Sequence, residues 1–353
     1  MTENKQNVFT WFVEVFCKMW VWQTFCKKWI WQTFCVNLVY KKFDKWKGWL
    51  YLSPAIALLI VFTLYPIFNT VRYSFLEGYN SMAAISGETF SVGLGNFKYV
   101  LGYSEFKNCL FNTIILCVLT VPLSTFLALL IAVCLNSIKV LNRFLQTIYF
   151  LPYVTNSIAI GMVFSAMFNI VGLNASNIEN SISLGIVNSV IQVFGFEPVN
   201  WVNMFSSYWN NIWVMVIYIV WNALPFKILI LLGGLQSVNK QYYEAAKIDA
   251  TPKWRVFTRI TVPLLSPMIA YVVITGFIGG FKEYSSIVGI FDEDMGPPGA
   301  KGRLNTMVGY IYDAINGPSK QYGRASAAAI ILFGIIFAVT MVNLYVSKKK
   351  THY

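Results

Sequence analysis

The chain predicts an all-α membrane protein with six transmembrane helices, and three observations carry this. Of its 353 residues, 57% are hydrophobic and only 12% charged, a balance too apolar for an ordinary soluble domain. Six uncharged runs are long enough to cross a hydrocarbon layer about 30 Å thick, which takes about 20 helical residues. Between them, loops rich in Lys and Arg alternate with acidic or mixed ones, as when the basic loops stay in the cytoplasm. None of the runs shows the ten-residue alternation of a membrane β-barrel.

Residues 1–48 read as an N-terminal extension. Trp22-Gln23-Thr24-Phe25-Cys26 recurs nine residues later as Trp31-Gln32-Thr33-Phe34-Cys35, with Lys27 and Lys28 between. Aromatics mixed with lysines suit an interfacial helix lying in the headgroup region. A flexible extension and an extra span are the alternatives, and Glu14, Lys18, Lys27 and Lys28 argue against the span. The small-residue cleavage site of a signal peptide is missing.

Residues 49–353 form the membrane domain. The first run, Leu50–Val71, follows Lys41, Lys42, Lys45 and Lys47, and Tyr65-Pro66 is placed to kink it. Residues 73–107 form an outer segment rich in Gly, Ser and aromatics. The second run, Asn108–Ile138, is separated by Lys139 and Arg143 from the third, Phe144–Ile178, which Pro152 breaks or kinks. Residues 170–208 are outer, with Glu179 and Glu197 lacking a basic partner. Pro198–Phe226, the fourth run, leads to a polar stretch that carries five basic and two acidic side chains from Lys240 to Pro263. The fifth, Ile260–Phe281, precedes an outer loop, residues 285–324, with Asp292, Glu293 and Asp294 at its start. Ala325–Ser347 is the sixth, closed by Lys348, Lys349 and Lys350. Both termini then fall in the cytoplasm.

Several function classes drop out. The net charge of +12 follows from this topology and from attraction to anionic membrane lipid. Nucleic-acid binding is the weaker reading, because the basic residues are scattered over separate loops. Gly296-Pro297-Pro298-Gly299-Ala300-Lys301-Gly302 lacks the spacing of a phosphate loop and reads as a proline-rich turn. Cys17, Cys26, Cys35, Cys109, Cys117 and Cys134 include no CxxC pair and read as small reduced apolar residues. The sole histidine is His352, so serine–histidine and cysteine–histidine nucleophiles are excluded and no metal shell is visible. The chain is expected to be no enzyme and to hold no cofactor. Energy for pumping must come from another subunit or from an ion gradient.

From Trp49 onward a set of short stretches occurs in a telling order. These are Leu52-Ser53-Pro54-Ala55, Val92-Gly93-Leu94-Gly95-Asn96-Phe97, Asn112-Thr113, Phe150-Leu151-Pro152, Leu224-Pro225-Phe226, Gly234-Leu235-Gln236-Ser237-Val238 and Phe281-Lys282-Glu283-Tyr284. With Glu244-Ala245-Ala246 and Ile260-Thr261-Val262-Pro263 they resemble the inner-membrane permease subunits of binding-protein-dependent ABC importers, the maltose and glycerol-phosphate type. The family's EAA loop is matched at Glu244, Ala245, Ala246, Ile260 and Pro263. It departs at Ala250, where the family has Gly, and at Val262, where it has Leu; Ala250 stiffens the turn slightly.

The resemblance implies the six-transmembrane-helix ABC importer permease fold and a set of partners. A cytoplasmic ATPase dimer, carrying ATP and Mg, would grip the loop. A second, non-identical permease subunit would complete the channel, and an extracytoplasmic solute-binding protein would deliver the substrate. Coupling residues would be Glu244, Ala245, Ala246, Asp249, Ala250, Ile260 and Pro263. Tyr243 to Lys247 can form a short helix whose alanines seat closely in a partner's groove, with Glu244 facing an arginine there. Pro252 and Pro263 limit that helix and set the exit angle of the fifth span.

Sugars are bound by aromatic faces and by amide or charged groups that bond hydroxyls. The expected substrate path is therefore Asn156, Tyr218, Trp221, Asn222, Lys282, Glu283 and Tyr284, with Lys227 near it in the fourth span. Contacts to the second permease or to water are the alternative for these residues. Gly233, Gly234, Gly276, Gly279 and Gly280 offer close helix approach or hinges. A carbohydrate, foremost an oligosaccharide, is the expected substrate; glycerol-phosphate or a polyamine, and an ion-coupled secondary transporter, are the competing readings.

Overall fold

A computed structural model describes residues 48–49, 51–80, 82, 85–138, 142–172 and 183–350. Residues 1–47 of the aromatic extension, including Cys17, Cys26 and Cys35, and His352 lie outside them. The chain divides into two units, Met1–Asn69 and Thr70–Tyr353. Helix α1, Tyr51–Phe75, is apolar and exposed over most of its length, with Ser74 buried near its end. Its backbone widens into a π-helical turn at Ile60–Leu64. Pro66, just beyond, has no N–H to give and its ring crowds the carbonyl four residues back, so the turn before it opens.

In the second unit, α2 (Gly95–Gly102) follows a loop pinned by Glu77, which accepts the Gly95 N–H (2.8 Å), and by Asn96. Asn96 Nδ2 donates to the carbonyls of Ser74 (3.1 Å) and Leu76 (2.7 Å), while its Oδ1 accepts the Gly78 N–H (3.2 Å). Helix α3, Ser104–Ser137, has 34 residues and is about 50 Å long at 1.5 Å per residue. Its buried face carries many small or hydroxylated residues, Cys109, Thr113, Cys117, Thr120, Ser124, Thr125, Ala128 and Ala132, interleaved with Phe106, Leu116, Val121, Leu129 and Leu135. Phe111, Ile114, Val118, Leu123 and Phe126 point outward. Thr113, Thr120, Ser124 and Thr125 each donate to the carbonyl four residues back, so none of these four hydroxyls is left unsatisfied.

The third apolar run is bent. Helices α4 (Asn142–Val154) and α5 (Ser157–Phe168) meet at 101°. Pro152 cannot continue the backbone ladder, Thr155 Oγ1 takes its carbonyl (2.8 Å), and Asn156 Oδ1 caps α5 through the Ile158 N–H (2.8 Å). After α6 (Ile186–Val193) comes α7, Tyr208–Ser237, capped by Ser207. Then α8 (Lys240–Ile248) leads to α9 (Lys253–Leu264), which bends by 69° into α10 (Ser266–Gly280). A second π-helical turn, Phe257–Thr261, lies just ahead of Pro263, as at Pro66. Helices α11 (Ser285–Phe291), α12 (Met307–Asn316) and α13 (Tyr322–Lys350) complete the chain.

Among the described residues four helices are long and apolar enough to cross a membrane, and counting each bent pair as one crossing gives six. Helix α7 packs along α3, and α10 packs on α3 and α13. Helices α5 and α11 touch backbone to backbone, since a Cβ on Gly161 would lie 2.6 Å from the Gly289 Cα. Of the glycines expected at helix contacts, Gly234 faces Leu265 and Met268, Gly276 faces Val121 and Lys227, and Gly280 faces Cys117. Gly233 and Gly279 face open space.

Candidate functional site: a polar cavity and an exposed elbow

Two features stand on α7, one at its middle and one past its end. The first is a cavity of ≈ 340 Å³ between α3, α7, α10, the α4–α5 bend and the start of α11. Asn222, Phe226 and Lys227 from α7 line it, with Thr120 and Ser124 from α3, Thr275 and Gly276 from α10, and Glu283 and Ser286 at the start of α11. Ser157, at the start of α5, accepts the Asn222 Nδ2 donor at 3.3 Å. Tyr153 and Phe226 stack at 5.7 Å on its wall. Volume and mixed lining are those of a site for a small polar molecule.

Of the residues expected along the path, Asn222 and Glu283 line this cavity. Asn156 is exposed and spent on capping α5. Tyr218 is wholly buried, its hydroxyl donating to the Ser157 carbonyl beneath the cavity wall. Trp221 packs on Phe164. Lys282 is exposed, and Tyr284 pairs with the Tyr312 ring. Thr120, Ser124, Thr275 and Ser286 were not foreseen, although regularly spaced hydroxyls inside an apolar run were a visible signal.

A loop seals one end of the bundle beside the cavity. Asn112 Nδ2 donates to the carbonyls of Arg303 (3.0 Å) and Asn305 (2.9 Å), and its Oδ1 accepts the Tyr208 hydroxyl (2.8 Å). Thr113 Oγ1 accepts the Met307 N–H (3.1 Å), and Thr306 Oγ1 donates to the Glu283 carbonyl (2.8 Å). Asn112-Thr113 thus binds the loop to α3, and Thr306 binds it to the cavity lining. On α12, burial raises the Asp313 carboxyl above its ordinary value, partly offset by the Asn305 Nδ2 donor at 2.8 Å.

The second feature is the elbow α8–α9. Asn239 caps α8 through the Gln241 N–H (3.0 Å). Ala246 is buried, whereas Glu244, Ala245 and Asp249 are exposed. Ala250 ends the helix in the left-handed region, at φ 48. The Ala250 N–H returns to the Lys247 carbonyl (3.1 Å) and the Thr251 N–H to the Ala246 carbonyl (2.9 Å), a Schellman closure. That closure is the physical reason a glycine suits this position. On the same elbow, Ile248 (85% exposed) and Trp254 (71%) leave apolar surface open to a partner. Ile260 and Pro263 are half-buried in α9, where Tyr243 reaches back to Thr261 (3.3 Å).

With this geometry in hand, comparison with known proteins is decisive. Residues 109–352 match the family model described as binding-protein-dependent transport system inner membrane component. The chain belongs to that family.

Relatives of this inner membrane component include the lactose transport system permease protein LacF of Rhizobium radiobacter, 28% identical over 88% of this chain and 97% of LacF. The arabinooligosaccharides transport system permease protein AraP of Bacillus subtilis is 31% identical over 88% of this chain and 90% of AraP. Among solved structures, a chain of a bacterial ABC transporter for the acidic polysaccharide alginate superposes with a TM-score of 0.70 at 19% identity, covering 90% of this chain and 100% of that one. The inner membrane component is thus a multi-pass membrane permease with the ABC importer permease fold. The small and hydroxylated residues on the buried face of α3 fit that setting, since they allow helices to approach closely.

Proposed function

We propose that the chain is one of two non-identical permease subunits of an ATP-driven importer for a carbohydrate, foremost an oligosaccharide. An extracytoplasmic binding protein delivers the sugar at the end sealed by the 303–307 loop. Both termini and the α8–α9 elbow lie in the cytoplasm, where an ATPase dimer grips the elbow. The observation that carries this reading is the placement of both features on α7. From Lys227 in the cavity wall to Ser237 at the elbow the helix runs unbroken for about 15 Å at 1.5 Å per residue, so force on one end reaches the other. Lactose, arabinooligosaccharide, α-glucoside and trehalose/maltose permeases among the relatives support a sugar as the cargo.

ATP binding by the partner would turn the cavity outward and hydrolysis would reset it. Asn222 and the hydroxyls of Ser157, Thr120 and Thr275 would bond sugar hydroxyls, while the Tyr153–Phe226 stack offers a ring face. The deciding experiment is purification of the chain with its neighbours, followed by uptake into proteoliposomes. ATP-dependent sugar accumulation that needs the binding protein supports the reading. A complex with no ATP-hydrolysing subunit, or an elbow that reacts with an impermeant label from outside intact cells, would falsify it.

A further inference from the structure

Helices α10 and α13 pack together along their middle, where Phe277, Ile335, Ile336 and Val339 join one apolar cluster. Toward the elbow they part, and a groove of ≈ 270 Å³ opens between them. Val262, Ile269, Ala270 and Val273 form one wall and Val346 lies on the other. Ser266 and Asn343 are polar groups set into this apolar lining. The Ser266 hydroxyl is buried with no partner, and the Asn343 amide has none among the described residues. Inside a membrane no water can stand in, so such groups are costly to leave unpaired. The rim is basic. Arg259 stands one turn before Val262 and Lys349 one turn after Val346, and both are exposed. Among the described residues neither is in a salt bridge; the Lys349 ammonium lies 4.5 Å over the Tyr345 ring and keeps its charge. No Asp or Glu occurs from Ala250 to Lys282 or from Tyr322 to Lys350, so these helices offer the groove positive charge alone.

We propose that this groove is a binding site for one anionic phospholipid, its acyl chain between α10 and α13 and its phosphate between Arg259 and Lys349. Charge complementarity selects an anionic headgroup over a zwitterionic one, since two cations and no acid face it. Depth agrees. Asn343 lies seven residues, about 10 Å at 1.5 Å per residue, from the end of α13 at Lys350, where headgroup gives way to acyl chain. Its Nδ2 donates there to an ester carbonyl, which supplies the partner the protein withholds. Met268 and Tyr271 on α10, and Met341 and Val342 on α13, are exposed apolar side chains on the same stretches, as on a surface that meets hydrocarbon. A helix of another subunit, about 10–12 Å across, would lie on the groove rather than in it, whereas a single hydrocarbon chain enters it. The site lies apart from the cavity on α7 and depends on neither the sugar nor the ATPase.

The test follows the full chain, purified with its partner subunits in mild detergent, by native mass spectrometry. Phosphatidylglycerol and phosphatidylethanolamine with identical acyl chains are the probes. Wild type retains phosphatidylglycerol about tenfold or more over phosphatidylethanolamine, the margin two cations near a headgroup supply. The double variant Arg259→Gln, Lys349→Gln loses that margin and binds both lipids alike. Ala270→Leu fills the groove, leaves every charge in place and loses the bound phosphatidylglycerol; Val346→Phe fills it from the other wall should the first variant fail to assemble. Undiminished retention in a groove-filled complex would overturn the site, because diffuse attraction to the basic surface would then account for binding. Equal retention of the two lipids by wild type would overturn it as well. So would a photo-crosslinker at Ile274 that captures another subunit instead of lipid, since a protein would then cover the groove. None of these readouts needs sugar or ATP, so their failure leaves the importer reading untouched.

Discussion

Asn112 on α3 and Asn305 in the loop before α12 are 193 residues apart in sequence and joined by a 2.9 Å hydrogen bond. The same amide holds the Arg303 carbonyl and the Tyr208 hydroxyl, so one side chain ties three segments at the mouth of the bundle. Replacing Asn112 by Ala leaves buried backbone acceptors unsatisfied and should cost about 1–3 kcal/mol. Tyr208→Phe removes one bond and should cost about 1 kcal/mol. Thermal unfolding of the solubilised complex reads both, and an Asn112→Ala protein melting with wild type would show that the loop is held by other contacts.

Ala250 occupies a left-handed conformation that costs an L-residue about 1 kcal/mol relative to glycine. Ala250→Gly should therefore raise stability by about that amount, despite the freer unfolded chain. Ala250→Val should lower it by more, because a β-branched residue fits this region worse. Hydrogen exchange at the Thr251 amide, which closes the α8 terminus, should slow in the glycine variant. Unchanged exchange there would refute the strain argument.

Gly161 meets the Gly289 backbone with no room for a side chain, whereas Gly233 faces open space. Gly161→Ala must push α5 off α11 and should cost about 1–3 kcal/mol, as overpacking does. Gly233→Ala, on a helix face with no neighbour within 4 Å, should be neutral or slightly stabilising. Equal melting temperatures for the two variants would contradict the packing described.

Glu244 is exposed on the elbow that also presents Ile248 and Trp254, the surface proposed for the ATPase. Reversing its charge as Glu244→Arg should leave membrane insertion normal while uptake falls by about tenfold or more, through lost pairing at the interface. Co-purification of the ATPase and uptake measured side by side make the check. Wild-type transport by this variant would end the assigned role.

Burial lifts the Asp313 carboxyl above its ordinary value of 3.8. The folded state therefore favours the protonated acid. Its contribution to stability is fully present below the unfolded pKa and is lost as pH rises through the raised folded one. Asp313→Asn keeps an oxygen for the Asn305 Nδ2 and carries no charge. It should melt above wild type near neutral pH, with the difference vanishing in acid. A difference of the same size at both pH values would rule out the titration.

Much of this protein is written in one dimension. Crossing a hydrocarbon layer requires about 20 consecutive apolar residues, so the six runs could be counted along the chain without any knowledge of packing. The break after Phe150-Leu151-Pro152 and the polar elbow at Glu244-Ala245-Ala246 were legible for similarly local reasons, a missing N–H and a concentration of charge. Pairing was a different matter. In helix α3 the spacing of Thr120, Ser124 and Thr125 put them on one face but did not say what that face would meet; only contact with α7 and α10 decided it. The environment of Lys227 was equally hidden, because its acceptors lie 102 to 106 residues away. Tyr218 and Asn156 looked like ligand groups by type, yet one became core and the other a helix cap once the third run bent by 101°. Hydrophobicity adds up along the sequence, whereas a cavity exists only where separate helices fail to touch.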